Sequence, residues 1–290
     1  MVSALARLAP PSVISLRAIF GLCAVFLLCL TGIAGGAQAA DRDRVAAFLQ
    51  VTGFDVAIES IALSASAAPE MLGLAEEDFG LQWQALSKDV FDVELMQNRA
   101  LDILEATLDE ALLAHAAEFY ASDLGQRLVA VENSSHMGDD IAKDTDGGAL
   151  LDALKANDDP RIDLFKRMNH AIDPKDIGGQ AMTEIQVRFL LAASYAGVIS
   201  LRTDEEGLRA ALNENAEEIA QEMEQSSLRN AAYTYQDFSV EEIAAYTEAL
   251  EHPDMMTVYE LMNAVHFEVM SNRFEALALR MGELQPSQEL

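Results

Sequence analysis

The feature that most constrains this fold is a stretch, residues 93–119, in which apolar residues recur every three or four positions. Such spacing places them on one face of an α-helix, whereas a half-buried strand would alternate apolar and polar residues. The stripe consists of Leu95, Met96, Ala100, Ile103, Leu104, Leu108, Ala111, Leu112, Ala116 and Phe119. A joint near Leu108-Asp109 would divide it into two helices. No segment has the β-branched alternation of strands, so we predict an all-α protein.

Similar periodicity predicts further helices along the chain. They are expected at residues 45–63, 79–91, 182–201, 206–223 and 253–281. Gly53 is expected to break the first of these, Pro69 to begin a short helix, and Trp83 to anchor the core. The apolar run FLLAASYAGVISL is expected to be the buried central helix of the second half, and it is too short to span a membrane.

Residues 136–146 lose this periodicity, and their aspartates and glycines are typical of loops. The pattern Asp144-x-Asp146-Gly147 has its glycine at the fourth position, where an EF-hand loop needs it at the sixth, and Lys155 replaces the required glutamate. A calcium site is therefore not predicted. The expected organisation is a signal peptide (1–39), a first helical unit (41–141), a linker (142–160), a second helical unit (161–281) and a polar tail (282–290).

A helix–corner–helix pattern occurs twice at a constant offset, as EFYASDLGQRLVAVENSSHM from Glu118 and EALEHPDMMTVYELMNAVHF from Glu248. Ser122 suits an N-cap, and Pro253 suits a first helical position because it has no N–H. Residues identical at this offset are Ala114 and Ala244, Glu118 and Glu248, Asn133 and Asn263, and His136 and His266. The recurrence predicts a tandem duplication, folded as two small domains or as one pseudo-symmetric bundle. Each corner is expected to close one small core.

The first corner, Phe119-Tyr120 followed after three residues by Leu-Gly-Gln-Arg-Leu, resembles the DUF2059 family of bacterial secreted proteins. In that family an aromatic pair is typically followed by Ser-Pro-x-Gly-Gln/Lys. Here Asp123 replaces the proline, while the second copy keeps Pro253 but has Met255 in place of the glycine. The family's upstream motif is similar to FSVEEI at 238–243. The resemblance is confined to the surroundings of the corner in each half and implies no catalytic residues, because the family has no established activity.

Residues 1–39 have the composition of a secretory signal. Arg7 and Arg17 are the only charges before Asp41, an apolar run covers 18–34, and Ala37-Gln38-Ala39 is an A-x-A cleavage site. We expect a periplasmic mature protein, free of cysteine and therefore of disulfides. The alternative is an uncleaved inner-membrane anchor at residues 18–37.

Charge is the strongest bulk property of the chain. Loss of the signal would remove two arginines and leave 17 basic and 48 acidic side chains, a net charge of −31. Such a surface repels nucleic acid and anionic lipid, so neither is an expected partner. It favours solubility in a salty compartment or, alternatively, a cationic partner or divalent metal.

Catalytic motifs are absent from the sequence: it has no nucleophile elbow, P-loop, H-E-x-x-H or dinucleotide fingerprint. Met262, His266 and Met270 lie at i, i+4 and i+8 on one helix face, and thioether with imidazole selects copper. Core packing is the simpler interpretation, since the first copy has Glu132, His136 and Asp140 at these positions. His115 and Glu118, one turn apart, are expected to be a surface pair.

The sequence therefore favours an exported, non-enzymatic helical protein that acts as a binding or envelope-associated module. Its expected partner is an unidentified protein or peptide, without a cofactor and with membrane contact only through an uncleaved signal. The alternatives are a copper-binding protein and a hydrolase with a carboxylate/His site. A polar pocket shared by both halves, with converging histidines and carboxylates, would favour an enzyme. A long apolar groove would favour a peptide or protein partner.

Overall fold

The structure is a computed structural model that describes residues 41–73 and 81–283. The predicted signal segment, the alternative anchor at 18–37 and residues 284–290 of the tail lie outside the described residues. Within the described ranges the chain is helical and has no strand, which confirms the all-α prediction. The helices are α1 (Arg42–Thr52), α2 (Phe54–Ser60), α3 (Ala68–Met71), α4 (Leu81–Val90), α5 (Val93–Thr107), α6 (Glu110–Tyr120), α7 (Asp123–His136), α8 (Asp140–Ala156), α9 (Arg161–Ile172), α10 (Gly178–Tyr195), α11 (Glu205–Asn213), α12 (Ala216–Thr234), α13 (Val240–Leu250) and α14 (Pro253–Met281), with a 3₁₀ helix at Ile61–Ala67.

Most helix ends follow the local chemistry of the sequence. Gly53, at φ 77°, ends α1 and begins α2, as predicted. Asp109 caps α6 by accepting a hydrogen bond from the N–H of Ala111 at 2.8 Å, so the long amphipathic stretch divides at the expected joint. Ser239 and Glu242 form the capping box of α13. These caps satisfy N–H groups that would otherwise have no partner inside the helix.

The two corners have matching helix bounds. α6 ends at Tyr120 and α13 ends at Leu250, while α7 begins at Asp123 and α14 begins at Pro253. The helix ends and the helix starts are therefore separated by the same number of residues as the two occurrences of the sequence pattern. Ser122 caps α7, as predicted, by accepting from the N–H of Gly125 at 3.0 Å. The two corners do not close separate small cores, because their buried residues belong to one continuous hydrophobic cluster.

The central helix is α14, which contacts α4, α5, α6, α9, α10 and α13. The apolar run at 189–201 was predicted to be the buried central helix of the second half, but it is helical only as far as Tyr195, the last residue of α10, which is 89% exposed. α10 packs against α14. α14 is 29 residues long and buries side chains on several sides, among them Met255, Tyr259 and Phe274. The described residues, 41–73 and 81–283, belong to one compact unit.

The loop predicted within 136–146 and the linker predicted at 142–160 are largely helical. α7 continues to His136, and α8 covers Asp140–Ala156 with Asp139 as its N-cap. The reason is the contact of α8 with α12, where a Cβ on Gly147 would lie 2.4 Å from the carbonyl oxygen of Arg229. Gly147 thus permits two helices to approach closely and does not form a turn.

The helix predicted at 206–223 is also different, since it divides at Glu214-Asn215 into α11 and α12. α11 packs against α10, whereas α12 packs against α8, so the chain changes direction between them. The break predicted at 157–160 is present, with Asp158 at φ 49°.

Among the described residues no single helix is long and apolar enough to cross a membrane; only Arg42–Thr52 together with Phe54–Met71, bent by 80°, meets those criteria as a pair.

The adjacent glycines of α8 provide a matched test of the α8–α12 contact. Gly147→Ala is expected to destabilise by about 1–3 kcal/mol, because its Cβ would overlap the backbone of α12. Gly148→Ala is expected to stabilise by about 0.5–1 kcal/mol, since its Cβ would meet only the Arg229 side chain at 3.6 Å. Urea unfolding of both variants measures the difference. Equal stabilisation by both would mean that α8 and α12 are farther apart than described.

Candidate functional site

A cavity of about 340 Å³ lies between α2, α7, α13 and α14, near the ends of α1, α9 and α12. Its apolar wall is contributed mainly by Phe54, Ala57, Ile58, Ile172 and Met262. Its polar wall consists of Glu132, Thr52, two asparagines, two histidines and three tyrosines. An apolar cavity with a few converging polar groups is the usual form of a small-molecule site.

Helical spacing explains why these polar groups meet. On α7, Glu132 and His136 are one turn apart, and on α14, Tyr259, Asn263 and His266 follow at intervals of four and three. Residues three or four apart lie on the same helix face. Asn133 and His136 on α7 are the positions that the sequence repeat matches with Asn263 and His266 on α14. Both sequence copies therefore supply an asparagine and a histidine to the same cavity.

Glu132 is held by phenol groups. Its Oε1 accepts hydrogen bonds from the hydroxyls of Tyr235, at 2.7 Å, and Tyr246, at 2.8 Å. The Tyr246 hydroxyl lies 3.0 Å from that of Tyr120 and 3.3 Å from that of Tyr259, and the hydroxyls of Tyr120 and Tyr259 are also hydrogen-bonded. Because Tyr246 donates its single proton to Glu132, the protons of Tyr120 and Tyr259 can serve only two of the three contacts among these hydroxyls. The cluster therefore presents phenol donors to Glu132, whose ionised carboxylate has acceptors and no donor.

The cavity shifts the pKa of each titratable group that lines it. Burial raises the pKa of the Glu132 carboxyl, while the hydrogen bonds from Tyr235 and Tyr246 lower it. Burial and, to a smaller extent, the neighbouring His136 lower the pKa of His266 to about 4. The pKa of His136 is itself lowered by burial and by Lys143. The lowered pKa values favour the uncharged form of both imidazoles. Glu132 is the one carboxylate of the described wall, and the hydrogen bonds from Tyr235 and Tyr246 favour its ionised form against the burial that raises its pKa.

Gly53 and Asn133 meet at the cavity wall. A Cβ on Gly53 would lie 2.6 Å from the Oδ1 of Asn133, and its φ of 77° is in the left-handed region, where glycine has no steric penalty. Asn133 Oδ1 is buried and has no hydrogen-bond partner among the described residues. Asn263 instead donates through Nδ2 to the carbonyl of Ile172 at 3.0 Å. The wall therefore contains an acceptor that requires a donor from elsewhere.

The three candidate metal residues are separated by the fold. Met262 and His266 line the cavity, whereas Met270 does not and packs, partly buried, against the hydrophobic core. Among the residues at matching positions of the first copy, Glu132 and His136 also line the cavity, and Asp140 pairs with Lys143 at 2.6 Å. Four of these six residues, Met262, His266, Glu132 and His136, thus line one cavity. They bring one thioether, two imidazoles and one carboxylate, which is not the thioether-rich set that was considered for copper.

Sequence reasoning missed the tyrosine cluster and its carboxylate. The tyrosines come from α6, α13, α14 and the residue after α12, and they follow no common spacing. The sequence did contain one signal for the site: the two occurrences of the pattern have an asparagine and a histidine at the same positions. Identical polar residues on otherwise apolar helix faces indicate a shared polar site.

If Met262 is a packing residue of the cavity wall, Met262→Leu is expected to cost less than about 1.5 kcal/mol, as volume-conserving substitutions do. The metal content of the purified protein is expected to be the same in the variant and in the wild type. Chemical denaturation and elemental analysis measure the two quantities. Stoichiometric copper in the wild type that is lost in the variant would contradict this interpretation.

A second cluster joins α6 to the start of α14. The rings of His115 and His252 stack at 4.2 Å, and with Asp254 they place three potential ligand atoms within 4.8 Å of one another. The sequence predicted that His115 would pair with Glu118 at the surface, and it did not predict the contact of His115 with His252. Nδ1 of His252 accepts from the N–H of Asp254 at 3.2 Å, and the positive end of the α14 dipole lies there. Both features disfavour a bound cation at this cluster.

A larger surface groove, about 850 Å³, lies between α5 and α14. Leu95, Ile103, Leu261 and Val265 contribute its apolar surface, and Arg99 and Glu268 form an ion pair at its edge. It has fewer converging polar groups than the cavity around Glu132. The cavity is therefore the stronger candidate site.

Comparison with known proteins found one family model that matches part of this chain, including three residues of the cavity wall. Residues 94–143 match the model of DUF2059, described as an uncharacterized protein conserved in bacteria. The match confirms the resemblance for the first copy of the pattern, and it contains Glu132, Asn133 and His136. Comparisons with curated proteins and with solved structures gave no match.

Proposed function

We propose that this protein, which carries a DUF2059 segment at residues 94–143, is an exported helical protein that binds a small molecule in the cavity around Glu132. The observation that carries this proposal is the convergence of polar groups from α7, α13 and α14 on one cavity. Glu132, Asn133, Asn263 and His266 are half-buried in this wall, while His136 lies at its exposed edge. Taking such polar groups partly out of water costs free energy that apolar side chains would not cost. A ligand that interacts with these groups offsets that cost.

Binding has more support than hydrolysis. Glu132 is the one carboxylate among the described residues that line the cavity, and its Oε1 already accepts two phenol protons. The hydroxyl of Thr52, also at the wall, donates to the carbonyl of Phe48 at 2.8 Å and is not poised as a nucleophile. A pair of carboxylates for acid and base catalysis is thus not present in the described wall, although converging histidines and a carboxylate would otherwise favour an enzyme.

A cavity-filling variant tests the proposal. Ala57→Trp places a large ring at the cavity wall, whereas Ala153→Trp places the same ring at an exposed position of α8. A library of small polar molecules, screened by thermal unfolding, is expected to contain compounds that stabilise the wild type and Ala153→Trp but not Ala57→Trp. No stabilising compound, or equal stabilisation of both variants, would overturn the proposal.

We further infer a tandem duplication of the helix–corner–helix unit. The matching bounds of α6–α7 and α13–α14, and the paired contribution of asparagine and histidine to one cavity, support it. A protein with a single copy is then expected to dimerise in order to complete an equivalent cavity. A monomeric single-copy protein with a complete cavity would contradict this inference.

Export rests on the composition of residues 1–39, which are proposed to be cleaved. The mature protein is expected to begin at Ala40 or Asp41 and to be periplasmic. N-terminal sequencing of protein from cell fractions measures this. An intact Met1 in the membrane fraction would instead support the anchor at residues 18–37.

A further inference from the structure

We propose that the cavity selects a small organic cation, held by the carboxylate of Glu132 and by the surrounding aromatic rings. This inference rests on the proposed function, because it names the class of ligand for the same site. Three properties of the wall support it: a carboxylate without a cationic partner among the described residues, several aromatic rings, and an acceptor, Asn133 Oδ1, without a described donor.

The charge of Glu132 has no cationic partner among the described residues. Its polar contacts are the hydroxyls of Tyr235 and Tyr246, and no described arginine or lysine lines the cavity. Elsewhere on the described surface carboxylates form ion pairs, as Glu275 does with Arg188 at 2.7 Å. Glu132 also lies near the C-terminal end of α7, where the helix dipole is negative. A half-buried carboxylate in this position is stabilised by a cation.

The aromatic residues provide a second means of holding a cation. Tyr235, Tyr246, Tyr259 and Phe54 all line the cavity. Phe54 and Tyr259 meet edge to face at 5.4 Å, which fixes the orientation of both rings. The faces of aromatic rings attract ammonium groups, and most strongly where water is excluded. The combination of a carboxylate with several rings therefore favours an organic ammonium over a compact metal ion.

The remaining polar groups of the wall include acceptors. Asn133 Oδ1 is buried without a partner in the described part of the chain, and an uncharged imidazole presents one acceptor nitrogen beside its N–H donor. A primary ammonium ligand supplies N–H donors to these acceptors, and a quaternary ligand such as choline supplies its hydroxyl. An anionic ligand would be repelled by Glu132 and would find no charged donor in the described wall. The volume of about 340 Å³ limits the ligand to on the order of ten non-hydrogen atoms, since a water molecule occupies about 30 Å³.

Calorimetry on the mature chain tests the charge preference. The cationic probes are choline, ethanolamine and putrescine. Choline is compared with the uncharged alcohol that has carbon in place of its nitrogen, and with the carboxylate of the same branched skeleton. At least one cation is expected to bind, with choline binding at least about tenfold more tightly than its uncharged alcohol. Glu132→Gln is expected to weaken cation binding at least about tenfold, whereas Glu118→Gln, which makes the same charge change at an exposed position of α6, is expected to have no effect.

Phe54→Leu is a second variant that retains the charge. It removes one aromatic face and is expected to weaken choline several-fold while leaving the affinity for the uncharged alcohol unchanged. The absence of binding by all three cations, or equal cation binding by wild type and folded Glu132→Gln, would overturn the inference. Tighter binding of the alcohol or the carboxylate would overturn it too, but would leave the cavity proposal intact if Ala57→Trp abolished that binding.

Discussion

Tyr120→Ala is expected to destabilise the protein by about 3–5 kcal/mol, the range for removal of a buried large aromatic side chain. Tyr120 is fully buried at the end of α6, and its ring packs edge to face against Phe119 and Tyr246. The substitution leaves a large void and removes the hydroxyl that joins Tyr246 and Tyr259. Urea unfolding at neutral pH measures the loss.

Two further variants separate packing from hydrogen bonding. Tyr120→Phe keeps the ring and is expected to cost about 1 kcal/mol, the net contribution of a hydrogen bond. Ser122→Ala removes only the cap that accepts from the N–H of Gly125 at 3.0 Å, and it is also expected to cost about 1 kcal/mol. Equal small losses from Tyr120→Ala and Ser122→Ala would mean that Tyr120 does not pack in the core as described.

Acidification is expected to remove on the order of 3 kcal/mol of stability through His266. The pKa of His266 falls from 6.5 to about 4 in the folded protein because the ring is buried and faces His136. Between these values the unfolded chain binds a proton that the folded chain does not. Stability therefore falls as pH decreases from about 6.5 to about 4, and the loss is complete below about 4.

The comparison variant is His266→Gln, because the many carboxylates of the chain also titrate at acidic pH. The free energies of unfolding of wild type and variant are measured at several pH values, and their difference isolates His266. The wild type is expected to lose more stability than the variant on acidification. Parallel pH profiles would show that His266 is accessible to protons in the folded state.

Sequence patterns predicted those parts of the fold that depend on neighbours along the chain. The amphipathic stripe of residues 93–119, the caps at Ser122 and Ser239, and the break at Gly53 are all present. They could be predicted because a helix satisfies its own backbone and its ends are capped by residues two or three positions away. The DUF2059 resemblance, confirmed for residues 94–143, depends on the same local features.

Gly147 shows where local prediction failed. Glycine and aspartate are typical of loops, and residues 142–160 were assigned to a linker on that basis. The glycine is helical because the backbone of α12, from a distant part of the chain, lies against it. Propensity is a weak prior that such tertiary contacts override.

For the candidate site too, some features could be predicted from the sequence and others depended on tertiary packing. The sequence alone determined the all-α class, the two matching corners, and the positions of Met262, His266 and the repeated asparagine and histidine. Only the tertiary structure decided that Asn133, Asn263, His136 and His266 share one cavity, and that Tyr235 and Tyr246 donate to Glu132. The physical reason is distance along the chain: periodicity assigns a residue to a helix face, but the packing of α14 against the other helices determines which faces meet.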